Sequence, residues 1–385
     1  MRAYLDHAST SPLRPVGREA ALRWMSAADP GRIHTEGRMA RAALEDARSS
    51  VASLFGTRPR QVIFTSGATE AINAASFGAL RETPGAVALA DVEHSAVREA
   101  SARWGTSLVP LGVDRTGRLL IEQVARALAS EPSIRLVQCQ LANHEVGTLQ
   151  PVAEVARLCR SAGVLLHVDA AAAAGHVPID FDGLEVDLMS VSAHKMGGPG
   201  GIGALLVRRG LRIPPSILGG AQERGRRGGM ENVAGAVGFG AVAEYLRSPA
   251  AARESESEAE RQPWGRSVLE AEAGRAGALT GVEGVTAYGP RDAGFRLPHL
   301  VCVGVEGVEA EGVLVGLDRA GVAAHSGSAC SSEMLEPSPV LAAMGAQAER
   351  SLRMSVGWST TAAEVDLAAR AFPEVVEGLR RLRAT

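Results

Sequence analysis

The chain has 385 residues, which at a usual ~150 residues per domain makes two or three domains. At 46% hydrophobic and 22% charged residues it has the balance of a soluble globular protein. Its 40 basic and 43 acidic residues leave a net charge of -3, which gives no basic excess to suggest a nucleic-acid partner, and only one of the bases, Lys195, is a lysine. A GC-rich genome accounts for the arginines. It does not account for the lysine that remains.

The first residues, MRAYLDHASTSPL, hold no apolar run of signal-peptide length, and no stretch approaches the ~18 apolar residues of a membrane span. The expectation is a cytoplasmic protein with no membrane partner. QVIFTS (61–66), AVALADV (86–92), SIRLVQCQLA (133–142), VLLHVDA (164–170), DLMSVSA (187–193) and GIGALLV (201–207) read as buried strands. Between them lie helical-period segments, EAINAASFGAL (70–80) and VAEVARLCRSAG (152–163), the second with Gly163 as its C-cap. Apolar strands separated by helices predict a mainly parallel sheet covered on both faces.

The pattern changes after residue 247. SPAAARESESEAERQ (248–262) predicts an exposed helix or connector, HLVCVGVEGV (299–308) a new strand, and LAAMGA (341–346) a new helix. The division expected is a large domain over 14–255 and a smaller α+β domain made of 1–13 and 256–385. The four cysteines, at 139, 159, 302 and 330, are too scattered for a disulfide framework and form no C-x-x-C pair, so no metal site is expected. A reducing compartment fits them.

Ligands of such sheets sit at the carboxyl ends of the strands, and polar residues collect there. VIFT runs into Ser66, Gly67, Ala68 and Thr69 before a helix, which reads either as an anion site or as an ordinary N-cap. Asp169 ends the strand VLLHV, where a buried acid is costly unless it meets a cation or a donor. Lys195 follows Ser192 and His194 at another strand end, where a desolvated amine can form a Schiff base. Gly198 to Gly203 matches G-x-G-x-x-G, but an apolar run follows it, so it reads as a turn and not a dinucleotide fingerprint. His94 in DVEHSAV is either a capping residue or a catalyst. Cys330 in HSGSACSS (325–332) lies among small residues as an accessible thiol, whereas Cys139 and Cys302 lie in apolar runs and read as inert. Arg353 can clamp a carboxylate bidentately. A phosphate cradle, an isolated acid, an imine-forming lysine and a carboxylate clamp together fit pyridoxal 5'-phosphate acting on an amino acid.

With YLDHAST (4–10), FTSGATEA (64–71), VEHSAV (92–97), NHEVGTLQP (143–151), HVDA (167–170), SAHK (192–195), QERGRRGGMENV (222–233), SGSACSS (326–332) and SLRMSVGWSTT (351–361) in this order, the sequence resembles the cysteine desulfurases. These are fold-type I pyridoxal-phosphate enzymes of the class-V aminotransferase group. The resemblance implies that Lys195 carries the cofactor, Asp169 pairs with its ring nitrogen and His94 stacks on the ring and assists proton transfer. Ala68, Thr69, Ser192 and His194 would hold the phosphate. Asn143 and Arg353 would bind L-cysteine, and Cys330 would take its sulfur as a persulfide for an acceptor protein. It also implies a homodimer in which QERGRRGG reaches the other subunit, so its arginines read as phosphate-proximal and not as a nucleic-acid patch. Four positions depart from the family's pattern: Asp29, His144, Ala172 and Met230. They are expected to line the cofactor pocket, with His144 able to replace a lost donor there. A C–S or C–Se lyase, which needs no persulfide nucleophile, and a non-catalytic sulfur-transfer scaffold are the alternatives.

Overall fold

Strands with near-continuous apolar sequence need cover on both faces, and the fold supplies it. The computed structural model describes residues 2–252, 254, 282–326, 338–347 and 350–383. After a short β1 (Ala3–Tyr4) come β2 (Val62–Thr65), β3 (Ala86–Ala90), β4 (Leu108–Leu111), β5 (Ile134–Gln140), β6 (Leu165–Asp169), β7 (Leu188–Ser192) and β8 (Gly203–Val207). The last seven form one sheet in the order β2-β8-β7-β6-β5-β3-β4. β8 is antiparallel to both its neighbours, and every other pairing is parallel. The mainly parallel sheet read from the sequence is therefore present.

Successive side chains on a strand point to opposite faces. Ala204 and Leu206 of β8 join one core, Leu205 and Val207 the other. Helices Thr35–Leu54, Val152–Ala162 and Val233–Leu246 cover the first face, and helices Ala68–Leu80 and Ser95–Trp104 the second. Helix Val233–Leu246 packs so closely that a Cβ on Gly240 would lie 2.6 Å from Cα of Ala47. Gly163 ends its helix in the left-handed conformation, with φ 67°, as its C-cap reading requires. The glycines after Lys195 turn the chain from β7 into β8, with no helix behind them. One strand of this sheet was not legible: β4, LVPL, is an edge strand that is largely solvent-facing and carries Pro110, so it lacks the apolar run of its neighbours.

β3 pairs with β4 on one side and β5 on the other, so the chain reverses direction across the sheet between β3 and β5. Ligands of open sheets bind at the carboxyl ends of strands at such a reversal.

A second sheet, β12-β13-β10-β9, is antiparallel and built from β9 (Val285–Tyr288), β10 (Leu300–Val305), β12 (His325–Ser326) and β13 (Ser351–Ser355). β11 (Val322–Ala323) pairs with β1 instead, which brings the N-terminus here. Val301, Val303 and Val305 of β10 share a separate core with Ala3, Leu317, Phe372 and Val376. The expected strand at 299–308 is β10. The expected helix at 341–346 runs Pro339–Ala343, starting earlier because Ser338 Oγ accepts from Leu341 N and Pro339 occupies the first turn. Of the expected connector at 248–262, all but 248–252 and 254 lie outside the described residues. No helix among the described residues is long and apolar enough to cross a membrane.

Candidate active site

The carboxyl ends of β2, β3, β5, β6 and β7 open on one cavity of about 350 Å³, of the size that holds a small ligand or cofactor. Ser66, Gly67, Ala68 and Thr69 form one wall. No side chain caps helix Ala68–Leu80, so the first-turn N–H groups, which have no partner within the helix, face the cavity with the positive end of the dipole. The anion-site reading of SGAT is thus favoured over the N-cap reading. Glu70 stands on the same turn, and its carboxylate accepts from Ser66 N (2.8 Å) and pairs with Arg227 (2.9 Å). Burial alone would push Glu70 up, but the Arg227 guanidinium and Ser66 outweigh it and hold the group below its ordinary value.

Asp169, at the end of β6 and 8% exposed, accepts from Ser190 Oγ and Ala171 N, both at 3.1 Å. It has donors but no cationic side chain among the described residues, which leaves its charge for a cation that enters the cavity. Ser192 Oγ and His194 Nδ1 lie 2.8 Å apart. Burial, with the Lys195 charge beside it, pushes His194 down to about 4 and keeps its ring neutral. Lys195 is half-buried in the short turn Ala193–Met196, and its Nζ donates to Ala8 O at 2.6 Å. That contact holds the amine of the only lysine at the cavity wall.

His94 caps a helix and also lines the cavity. Its Nδ1 accepts from Ala96 N (3.1 Å) as the cap of helix Ser95–Trp104, while its ring lines the cavity. It meets His144 edge to face with ring centroids 5.1 Å apart, and His144 Nε2 lies 3.6 Å from Glu145 Oε1. Glu145 in turn accepts a short hydrogen bond from Ser338.

Some expected residues lie elsewhere. Asn143 is fully buried and outside the cavity wall: its Oδ1 accepts from Glu145 N and Val146 N, and its Nδ2 donates to Val92 O. Arg353 is buried behind the wall, bonded to Asp6 Oδ1 (2.9 Å), Ser9 Oγ (2.7 Å) and His144 O (2.9 Å), with Nε left unpartnered. A substrate carboxylate would have to displace Asp6 to reach it. Of the four departures, His144 and Ala172 do line the cavity. Asp29 does not line it, which corrects that expectation for one chain, and Met230, which the resemblance places at the neighbouring subunit's pocket, lies outside its own chain's cavity. The Asp29 carboxylate is turned to Gly31 N (2.8 Å) and Arg32 (3.1 Å), and Met230 is 57% exposed. The QERGRRGG arginines fold back on their own chain, Arg226 onto the carbonyls of Arg60 and Val62 and Arg227 onto Glu70. Cys330 lies outside the described residues. Cys139 and Cys302 are buried in the core, where desolvation raises both thiols far above the usual range, consistent with the inert reading.

Two residues escaped the sequence reading. Glu93, next to His94, is wholly buried, accepts from Gln140 N (2.8 Å) through Oε1, and leaves Oε2 unpartnered. Burial pushes it up to about 8, so it carries a proton at neutral pH. Gln140 lines the cavity from β5 while its Nε2 donates to Val92 O. The strand-end position of Gln140 was its only available signal. Glu93 gave none, because burial depends on the elements packed around it.

A family model described as Aminotransferase class-V matches residues 3–367. The chain is 38% identical to a cysteine desulfurase of Cereibacter sphaeroides over 99% of this chain and 97% of that protein. It is 36% identical to cysteine desulfurase IscS of Dictyoglomus turgidum, covering 98% and 95%. The fold superposes on the solved structure of a NifS-like protein from Rickettsia africae ESF-5 with a TM-score of 0.85 at 25% identity, covering 98% of this chain and all of that one.

Proposed function

The chain belongs to the class-V aminotransferases and, within them, to the cysteine desulfurases, and from that premise we propose how its cavity takes sulfur from L-cysteine. Enzymes of this family depend on pyridoxal 5'-phosphate, and the residues present fit that group. The uncapped start of helix Ala68–Leu80, with Thr69, Ser192 and His194, suits a phosphate. The Asp169 carboxylate suits a protonated ring nitrogen, His94 and His144 flank the space for the ring, and Lys195 supplies the only side-chain amine. When bound, the cofactor supplies an electron sink that weakens the bonds at the substrate's Cα and Cβ.

The chain's own residues do the rest. Asp169 holds the ring-nitrogen proton, because an unpaired carboxylate in a low-dielectric wall strongly favours a cation beside it. Lys195, released from Ala8 O, is the base at the substrate's Cα. His94 has its Nδ1 tied to Ala96 N, so Nε2 is the nitrogen free to exchange a proton. The Cys330 thiolate attacks the substrate sulfur: an S–S bond forms, the C–S bond breaks, and its electron pair stays on carbon, which takes a proton and leaves as alanine. The persulfide on Cys330 then passes to an acceptor protein. Arg353 takes the substrate carboxylate in exchange for Asp6.

The protein works as a cytoplasmic homodimer in this reading. Support comes from the exposed apolar Leu218 (82%) and Met230 at either end of the QERGRRGG segment, which a neighbouring subunit would cover. The observation that carries the function is the convergence of Lys195, Asp169 and the bare helix start on one cavity. The Cys330→Ala variant tests the sulfur step. It should keep its visible cofactor band and lose sulfur release. Full sulfur release from that variant would replace the desulfurase reading with a simple C–S lyase.

A further inference from the structure

Where β2 begins and β8 ends, away from the cofactor cavity, three separate segments bring six arginines around a cleft of about 610 Å³: Arg58, Arg60, Arg208, Arg209, Arg224 and Arg226. No acidic residue lines it. The whole chain carries a net charge of -3, so this is a local concentration of charge and not the general character of the surface. Three carboxylates, Asp182, Glu185 and Asp187, line an adjoining cleft that shares Arg58, Arg208 and Arg209; Asp182 accepts from Thr57 and Gln61, and Glu185 pairs with Arg160. Arg208 pairs with Asp187 (2.6 Å) and Arg224 with Glu45 (2.7 Å). Glu223 is used up by Arg48, at 2.6 and 2.7 Å, and by Phe64 N, at 3.0 Å. Among the described residues the side chains of Arg58, Arg60 and Arg209 have no partner.

The cleft is also preformed. Glu223 and Arg224 hold φ of 47° and 59°, a left-handed backbone that a β-carbon disfavours, and the buried Arg48–Glu223 pair locks the loop in it. Half-buried Arg226 donates to the carbonyls of Arg60 and Val62 and to no acid, and burial pushes it down to about 10. Such a cluster repels itself until an anion arrives. The rest of the wall is Pro59, Gln61, Val207, Gly210 and Leu211, apolar except for Gln61, whose amide is turned to Asp182. Pro59 and Leu211 offer apolar surface beside the guanidiniums, and the volume lies in the range of small-ligand sites.

We infer that this cleft binds a nucleoside polyphosphate, its phosphates held by Arg58, Arg60, Arg208 and Arg209 and its base laid against Pro59 and Leu211. Guanidinium forks match phosphate oxygens two at a time, which exposed amines do not. Occupancy relieves the repulsion among the arginines and stabilises the fold by mass action.

The test is fluorescence anisotropy of a labelled nucleoside triphosphate titrated with the cofactor-loaded protein, whose phosphate cradle at Ala68 is then filled. Saturable binding is expected, displaced by unlabelled nucleoside triphosphate and more weakly by inorganic tripolyphosphate. Affinity should fall as salt rises. The Arg60→Ala/Arg209→Ala variant should bind at least about tenfold more weakly. Its desulfuration and its circular dichroism should be unchanged, since neither residue belongs to the cofactor cavity. Arg209→Lys, which keeps the charge and loses the fork, should bind between the two. Absence of saturable binding, or equal affinity in the double variant, would overturn the site. Tripolyphosphate binding as tightly as the nucleotide, or binding only by RNA oligonucleotides, would overturn the assignment of the ligand.

Discussion

At the carboxyl ends of β3, β5, β6 and β7 charged groups lie inside the protein and are made safe, whereas at the opposite end of the same sheet guanidiniums stand open to water. In and behind the cavity wall Glu93 keeps its proton, His194 stays neutral and Glu70 is tied to Arg227. Only Asp169 and the bare helix start keep charge in reserve, and they are the two features that fit a ring N–H and a phosphate. A low-dielectric wall tolerates a charge that its ligand will neutralise and removes the others. In the arginine cleft, water screens the charges, so unpaired cations can persist there without a ligand.

The largest effect expected on this contrast is at Lys195. Lys195→Ala should form no alanine from L-cysteine, and Lys195→Arg should be equally inert because a guanidinium stays protonated and does not form an imine. Either variant turning over would remove the lysine from the chemistry. His94→Ala should slow turnover about 10²–10⁴-fold, measured as alanine released.

Among the described residues the ion pair with both side chains wholly buried, Arg48–Glu223, which holds the loop behind the arginine cleft, gives the next effect. Glu223→Gln leaves Arg48 without its counter-charge and should cost about 3–5 kcal/mol in denaturant unfolding. The apolar pair Arg48→Met/Glu223→Leu should recover most of that loss. An unchanged midpoint in the single variant would show that the loop holding Arg224 does not depend on this pair.

A moderate effect is expected from pH. Burial holds His7, His167, His176 and His194 at about 4 and His299 well below its ordinary value. The unfolded chain takes up protons below about pH 6.5 that the folded one refuses, so stability should fall as pH drops from there toward about 4. Glu93 acts in the opposite sense: raised to about 8, it contributes stability that is present at low pH and lost as pH rises through that value. Denaturant midpoints should therefore peak near about pH 6.5 and decline on both sides. Glu93→Gln should flatten the alkaline side and steepen the acid side above about pH 4.5, and a steady rise through about pH 8.5 in the parent would show Glu93 to be charged.

The smallest effect belongs to the solvent-facing pair Arg208–Asp187, whose side chains are 48% and 15% exposed. Arg208→Ala should change stability by no more than about 1 kcal/mol, because water already solvates the guanidinium. A larger loss would blur the contrast between the two ends.

Much of the cavity was legible because its parts come in short contiguous runs at strand ends. SGAT, HVDA and SAHK each carry a strand's last turn and its functional residue together, and the lone lysine falls in one of them. Contacts between distant segments were not legible. Arg353 meets Asp6 across 347 positions, so its occupied state cannot be read along the chain. The resemblance assigns Asn143 to the substrate, yet its amide is consumed within its own turn and by Val92. The arginine cleft draws on residues near 58, 208 and 224, none of which stands out locally in a chain so rich in arginine.

The central claim is that Lys195 and Asp169 bind the cofactor that lets Cys330 remove sulfur from L-cysteine. The most direct measurement is intact-protein and peptide mass spectrometry after incubation with L-cysteine. The account predicts one added sulfur atom on the peptide carrying Cys330, absent from the Lys195→Ala protein and removed by thiol reductant. Alanine release with Cys330 unmodified in the cofactor-loaded protein would contradict it.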